Sequence, residues 1–284
     1  MSRKRARRRP CHEHIHAAGF PNRTPLVLAR ERGLYRQMVG DLTGRRAGEP
    51  VVDREPKAQG DSADVTMDDL EAAFASGDVT SVHAASFLAG RCEPEAAEDA
   101  RALENLLGEL LDSLDVEDLG SRALTYVEAA MSLALRGEHQ RAMAALTDVA
   151  HGGRGTMGDH LAAFYLAELG DPSGYPTLVT QLHADNGWSR LMAARHLVGF
   201  IPFDGQRVGD ETIDVRARMV ERFDDVDELV AVEIPGLLVE TELVGVEDTL
   251  ARLAKEARHP AASRAAEHVL DDLRERTEAP RRTR

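Results

Sequence analysis

Residues 158–199 read GDHLAAFYLAELGDPSGYPTLVTQLHADNGWSRLMAARHLVG, and this stretch predicts short helices joined by tight corners. In its first part, apolar residues recur at helical spacing and form one stripe: Leu161, Ala162, Tyr165, Leu166 and Leu169. Gly170 predicts the end of this helix, because glycine adopts the left-handed cap conformation without penalty. Asp171 and Pro172 predict the start of the next helix, since aspartate accepts from free amides and proline suits the first helical position.

Two further helices follow in the same stretch. The second carries its apolar residues on one face: Tyr175, Leu178, Val179 and Leu182. The third carries Leu191, Ala194, Leu197 and Val198. Helix pairs with a tight corner and small alanines at the closest contact are typical of an α-solenoid, in which each pair stacks on the next.

The corner LAELGDPSGYPTLVTQL resembles the HEAT repeats of the phycobilisome-lyase-like type, whose corner reads roughly L-G-D-P-x-x-x-P-x-L. The matching residues are Leu169, Gly170, Asp171, Pro172, Pro176 and Leu178. The next helix of such repeats often reads V-R-x-x-A-A-x-x-L; Arg190, Ala193, Ala194 and Leu197 match it, and Ser189 departs from it. The resemblance covers about one and a half repeats. It implies an all-α, HEAT/ARM-like solenoid of antiparallel helix pairs and no particular activity.

Residues 122–150 repeat the central stretch at an offset of 33 residues. The aligned residues are Ala129 with Ala162, Ala130 with Ala163, Leu133 with Leu166, Ala134 with Ala167, Gly137 with Gly170 and Glu138 with Asp171. This earlier copy also resembles a tetratricopeptide repeat, which has a similar length. The Gly170-Asp171-Pro172 corner favours the HEAT assignment.

Charge divides the chain into a basic tail and an acidic body. Residues 1–60 hold 14 Lys and Arg against 6 Asp and Glu, whereas the remainder holds 21 against 43, a net charge of −22. We expect residues 1–64 to be a mostly disordered basic tail and linker with little effect on folding, apart from a possible short helix at 25–39. Residues 65–278 are predicted to form the HEAT-like domain, and 279–284 a frayed end. The abrupt change would also suit a translation start at Met67.

Helix boundaries in the body follow from caps and glycines. Thr66 is predicted to cap a helix that ends at Gly77, and Gly90 to end the helix that follows. Pro235 is predicted to kink or divide its helix. The remaining predicted helices are 94–114, 211–223, 226–241, 246–257 and 261–275, with an irregular loop at 200–210.

The location of the protein is predicted from what the sequence contains. Cys11 and Cys92 lie far apart and suggest no disulfide framework. No apolar run reaches the length of a membrane helix, and the N-terminus lacks the apolar region of a signal peptide. We therefore expect a cytoplasmic protein.

One short strip of the tail carries metal-binding residue types, namely Cys11, His12, Glu13, His14 and His16. A structural zinc site normally draws its ligands from two separated pairs. His12, His14 and His16 are therefore only weak metal candidates, and we expect no cofactor. HEAT-repeat hydroxylases bind iron through repeated His-Glu pairs, whereas the body of this chain has only the reversed Glu138-His139 and Glu267-His268.

An acidic body favours a partner with a basic surface and disfavours nucleic acid, which only the basic tail could contact non-specifically. Trp188, Arg190 and Arg195 are the candidate partner-binding residues, because exposed Trp and Arg are enriched at interfaces. The sequence thus predicts a non-enzymatic protein-interaction module, a scaffold or adaptor. The alternatives are a HEAT-repeat enzyme of the lyase or metal-hydroxylase kind and a bacterial immunity or regulatory protein.

Overall fold

The computed structural model describes residues 10–13, 65–93, 96–240 and 245–278, with the backbone alone at 10–13, 92–93 and 276–278. These residues are mostly helical. Their α-helices are α1 Met67–Ser76, α2 Val79–Arg91, α3 Ala97–Ser113, α4 Ala123–Leu135, α5 His139–Ala150, α6 Met157–Glu168, α7 Tyr175–Gln181, α8 Gly187–Leu197, α9 Val215–Arg222, α10 Glu228–Glu240, α11 Val246–Glu256 and α12 Pro260–Glu278. None of these helices has both the length and the apolar character that crossing a membrane requires.

The chain divides into two compact units, Met1–Val149 and Ala150–Arg284. In the first unit, α4 packs against both α2 and α3, and α1 packs on α2. In the second, α6 packs on α8, α8 on α10, and α10 on α12. Each unit has its own buried core of leucine, alanine and aromatic side chains, including Phe87 and Leu107 in the first and Tyr175 and Phe223 in the second.

The helices of the second unit contact one another at regular sequence separations. The Asp214 amide donates to Tyr175 Oη at 3.1 Å, across 39 residues. Arg222 Nη1 donates to the Leu182 carbonyl at 3.0 Å, across 40 residues. The first contact joins the N-terminal ends of α7 and α9, and the second joins their C-terminal ends, so the two helices run in the same direction.

The corner before α12 makes similar contacts with residues that are fewer positions away in the sequence. The Arg258 amide donates to Asp224 Oδ1, and His259 Nε2 lies 2.8 Å from the Asp225 carbonyl, each across 34 residues. The α11–α12 corner therefore lies against the α9–α10 corner.

Identical caps end α4 and α6. Gly137 and Gly170 have φ of 100° and 90°, in the left-handed region. The Glu138 amide donates to the Leu133 carbonyl at 2.9 Å, and the Asp171 amide to the Leu166 carbonyl at 2.8 Å. This is the Schellman pattern at both ends, so the predicted cap at Gly170 is confirmed, and the two aligned copies share the geometry of this cap. After Asp171, Pro172–Gly174 form a 3₁₀ turn before α7 begins at Tyr175.

The cap at Gly170 gives a direct test of this geometry. No atom lies within 4 Å of the place where a Cβ would stand, so a substitution there meets strain but no clash. We expect Gly170→Val to lower the free energy of unfolding by about 1–3 kcal/mol, because a β-branched residue is held at positive φ. Gly170→Asn is the matched control, since asparagine tolerates this conformation. Equal urea denaturation midpoints for Gly170→Val and the wild type would contradict the cap.

The prediction that Gly90 ends its helix is wrong. Helix α2 continues to Arg91. A Cβ on Gly90 would lie 2.5 Å from Ser132 Cα, so the glycine is the point where α2 comes closest to α4. Its role is to allow close packing, which sequence patterns do not distinguish from a helix stop.

Two other expectations are corrected. The predicted loop at 200–210 contains a 3₁₀ helix, Val198–Phe203, and the first strand of a hairpin, β4 Arg207–Val208 with β5 Glu211–Thr212. Of the two effects predicted for Pro235, the division of the helix is wrong, because Pro235 is buried inside a continuous α10.

Part of the basic tail forms a strand. β1, Pro10–Glu13, pairs antiparallel with β2, Val65–Thr66, and with β3, Cys92–Glu93. No strand was predicted here, because four residues are too few to display a period. The rest of the predicted disordered tail, including the possible helix at 25–39, lies outside the described residues, as does the predicted frayed end at 279–284.

Candidate functional site

A buried ion pair joins α8 to the α9–α10 corner. Arg190 donates from Nε to Asp225 Oδ2 at 2.8 Å and from Nη2 to Asp225 Oδ1 at 2.7 Å. Its remaining Nη1 donates to the carbonyls of Ala184 and Asp185, and the Asp227 amide donates to Asp225 Oδ1. Arg190 is 6% exposed and Asp225 is 5% exposed. This two-point contact fixes the α7–α8 corner and the α9–α10 corner relative to each other.

Asp225 is held in its charged form. Burial alone would raise the pKa of its carboxyl, but the hydrogen bonds from Arg190 and the Asp227 amide outweigh burial, so the pKa lies below its ordinary value. Arg222 Nη1 lies 3.6 Å from the same carboxylate. The hydrogen bond with Asp225 raises the pKa of Arg190.

An apolar surface lies at the corners that this ion pair connects. Among the described residues, the exposed large apolar side chains are Val79, Trp188, Val226 and Leu229. The last three lie at 61–71% exposure near the N-termini of α8 and α10. A Cβ added at Gly187 would collide with Asp227 Oδ2, so the N-terminus of α8 lies directly against the residue that precedes α10. We call Trp188, Val226 and Leu229 the Trp188 patch.

Four carboxylates lie close in sequence to the members of the Trp188 patch. Asp185, Asp224 and Glu228 are exposed, and Asp227 is partly exposed. Each lies within three residues of a member of the patch. Such an arrangement can bind apolar side chains at its centre and cations at its edge.

The structure separates the three residues predicted to bind a partner. Trp188 is exposed in the first turn of α8. Arg190 is buried in its ion pair, and Arg195 donates from Nη2 to Glu233 Oε1 at 2.5 Å. The two arginines thus hold α8 to the α9–α10 segment, while Trp188 faces solvent.

Sequence reasoning did not identify Val226 and Leu229 as part of this surface. A signal was present for Leu229. The buried stripe of α10 runs through Val230, Ala231, Ile234, Leu237 and Leu238, and Leu229 lies outside it. An apolar residue that lies off the buried stripe and directly after two acidic residues, Asp227 and Glu228, is a candidate for an exposed contact.

His160 is a second unusual group in the second unit. It lies in α6 with 1% of its surface exposed, and neither ring nitrogen makes a hydrogen bond. The His196 ring meets it edge-on, with centroids 6.5 Å apart. Burial lowers the pKa of His160, although the nearby Gln181 side chain and Asp159 favour the protonated ring. Arg154 Nε lies 3.5 Å from Asp159 Oδ1.

This burial predicts acid sensitivity. Below about pH 6.5, the ordinary histidine pKa, the unfolded chain binds a proton at His160 that the folded chain does not bind. Stability should therefore fall as the pH is lowered, by at most about 1.4 kcal/mol per pH unit from this one proton. We expect His160→Phe to flatten the dependence of the urea midpoint between pH 6.5 and 5. His268→Gln, at an exposed position of α12, is the control and should leave the slope unchanged. An unaltered slope in His160→Phe would contradict the assignment.

In the ranges whose side chains are described, no three His, Cys, Asp or Glu side chains are arranged to hold a metal ion. The candidates His14 and His16 lie outside the described residues, and His12 is described in its backbone alone. Glu138 and His139 lie at the α4–α5 corner, whereas Glu267 and His268 lie in α12.

The chain matches no protein-family model, and no curated protein matches its sequence.

Proposed function

We propose that this chain is a non-enzymatic protein-interaction module, a scaffold or adaptor of stacked helix pairs that binds a partner with a basic surface. The observation that carries the proposal is the Trp188 patch. A tryptophan with 61% of its surface exposed, beside two other exposed apolar side chains, is costly to leave in water and is a common centre of interfaces.

Regular stacking supports the HEAT-like part of the proposal. Contacts between successive helix pairs recur 35–40 residues apart from α7–α8 to α9–α10, and 34 residues apart in the next step. A nearly constant separation is what one repeat stacked on the next produces. Such stacks present extended surfaces made of successive helix ends and faces.

Charge supports the choice of partner. Residues 61–284 carry a net charge of −22, so a basic partner is attracted and an acidic one repelled. The negative charge of residues 61–284 also repels the phosphate groups of nucleic acids, which disfavours DNA or RNA as the partner of this part of the chain.

The test is affinity capture with the full chain from a lysate of the source cells, followed by reconstitution with the purified partner. We expect a protein whose affinity falls between about 50 and 300 mM salt, because screening shortens the Debye length to several Å. Asp68→Asn/Glu71→Gln removes two carboxylate charges from α1 in the first unit and should leave capture unchanged.

Three results would count against the proposal. Capture of no protein that reconstitutes would remove the interaction function. A reconstituted partner whose affinity is the same at both salt concentrations would remove its electrostatic part. A metal bound one-to-one by the untagged protein would favour the enzyme alternative.

A further inference from the structure

The Trp188 patch combines three features that together define what could cover it. Its centre is apolar, its edge is acidic, and its base is rigid. The acidic edge consists of Asp185, Asp224, Asp227 and Glu228. Arg190 and Arg222 both lie against the buried Asp225, which offsets one of their two charges, so they neutralise the acidic edge only in part.

One exposed cation lies close to this edge. Arg258, at the α11–α12 corner, donates its backbone amide to Asp224 Oδ1. Among the described residues at these corners, five carboxylates (Asp225 and the four of the acidic edge) stand against the guanidinium groups of Arg190, Arg222 and Arg258, a net charge of −2. The local field therefore favours cations.

We propose that the Trp188 patch is the docking surface for a basic amphipathic segment of a protein partner. The inference rests on the proposed interaction function and specifies its surface. Apolar side chains of the segment cover Trp188, Val226 and Leu229, while its Lys or Arg side chains pair with Asp185, Asp224 and Glu228. This is recognition of an amphipathic helix through apolar anchors, with the charged edge fixing orientation.

Rigidity of the base favours binding without rearrangement. The two-point Arg190–Asp225 contact holds the α8 and α10 N-termini in place before any partner arrives. A surface that is already ordered loses less conformational entropy on binding. The patch is therefore organised for contact in the unbound chain.

Trp188 also provides the assay, because it is the only tryptophan of the chain. The probe is a synthetic Trp-free helix of about five turns, with leucines on one face and lysines and arginines on the other. Added to the full chain, it should shift Trp188 fluorescence to shorter wavelength with saturation. A peptide with the same leucines, but glutamates in place of the basic residues, should bind at least about tenfold more weakly.

Matched variants locate the binding site. We expect Leu229→Asp to weaken binding of the basic peptide by about tenfold or more, as loss of an interface anchor does. Val79→Asp, at an exposed apolar position of the first unit, should not change it. Asp224→Asn/Glu228→Gln should weaken binding by about three- to tenfold. Glu247→Gln/Asp248→Asn removes two exposed charges of α11 instead and should have a smaller effect.

Several outcomes would overturn the inference. These are equal binding by the two peptides, equal effects of Leu229→Asp and Val79→Asp, and a fluorescence shift that depends on protein concentration alone, which would indicate a second copy as the occupant. A shift that appears only after removal of residues 1–9 would make the chain's own basic segment the occupant. If Leu229→Asp still captures the reconstituted partner, the interaction function stands and this surface is not the one used.

Discussion

Replacing Arg190 with alanine is expected to lower the free energy of unfolding by about 3–5 kcal/mol, because it leaves the Asp225 carboxylate buried without its partner. Burial alone would raise the pKa of Asp225, and the hydrogen bonds from Arg190 are the largest of the effects that lower it. Without them, burial dominates and the pKa of Asp225 should rise. The measurement is urea denaturation followed by circular dichroism at pH 7.

Two controls separate the buried pair from ordinary surface charge. Arg252→Ala breaks an exposed pair with Glu256 and should cost less than about 1 kcal/mol. Arg190→Met/Asp225→Leu removes both buried charges and should recover much of the lost stability. A loss below about 1 kcal/mol for Arg190→Ala would mean that the pair does not hold the base of the Trp188 patch.

The second large effect is expected at Gly90, where alanine should destabilise the first unit by about 2–3 kcal/mol. An added Cβ would lie 2.5 Å from both Ser132 Cα and Ser132 Oγ, and a backbone atom cannot turn aside. Helix α2 would have to move away from α4, against which it packs. Thermal unfolding monitored by circular dichroism would show the loss.

Gly236→Ala is the matched control for Gly90→Ala. Gly236 also lies inside a helix, α10, but no atom lies within 4 Å of its added Cβ. Alanine there should stabilise by up to about 1 kcal/mol, from helix propensity alone. If both substitutions stabilised the chain, the close approach of α2 and α4 would be contradicted.

The sequence predicts local structure in this protein more fully than long-range contacts. The caps at Gly77 and Gly170 and most helix ranges follow from residues within one turn, because capping and helical periodicity are local effects. Gly90 was misassigned for the same reason. A glycine that ends a helix and a glycine that lets another helix approach have the same local sequence signal.

The candidate site shows the same limit. Trp188 was identified from composition, since an aromatic residue beside polar neighbours is a frequent interface residue. Arg190 was grouped with it, yet its partner Asp225 lies 35 residues away and no local pattern pairs the two. Val226 and Leu229 lie near Trp188 because the ion pair and the close approach of Gly187 to Asp227 bring the two corners together. Tertiary contacts therefore determine which residues form the surface.

Hydrogen–deuterium exchange of the full chain, with and without the reconstituted partner, tests the central claim of a protein-binding helical module most directly. We expect slower amide exchange on binding at the N-termini of α8 and α10, near Trp188 and Leu229, with little change in α1–α3. Protection elsewhere on the second unit would keep the interaction function and relocate its surface. Unchanged exchange throughout residues 65–278 at saturating partner, or protection confined to residues 1–64, would contradict the account.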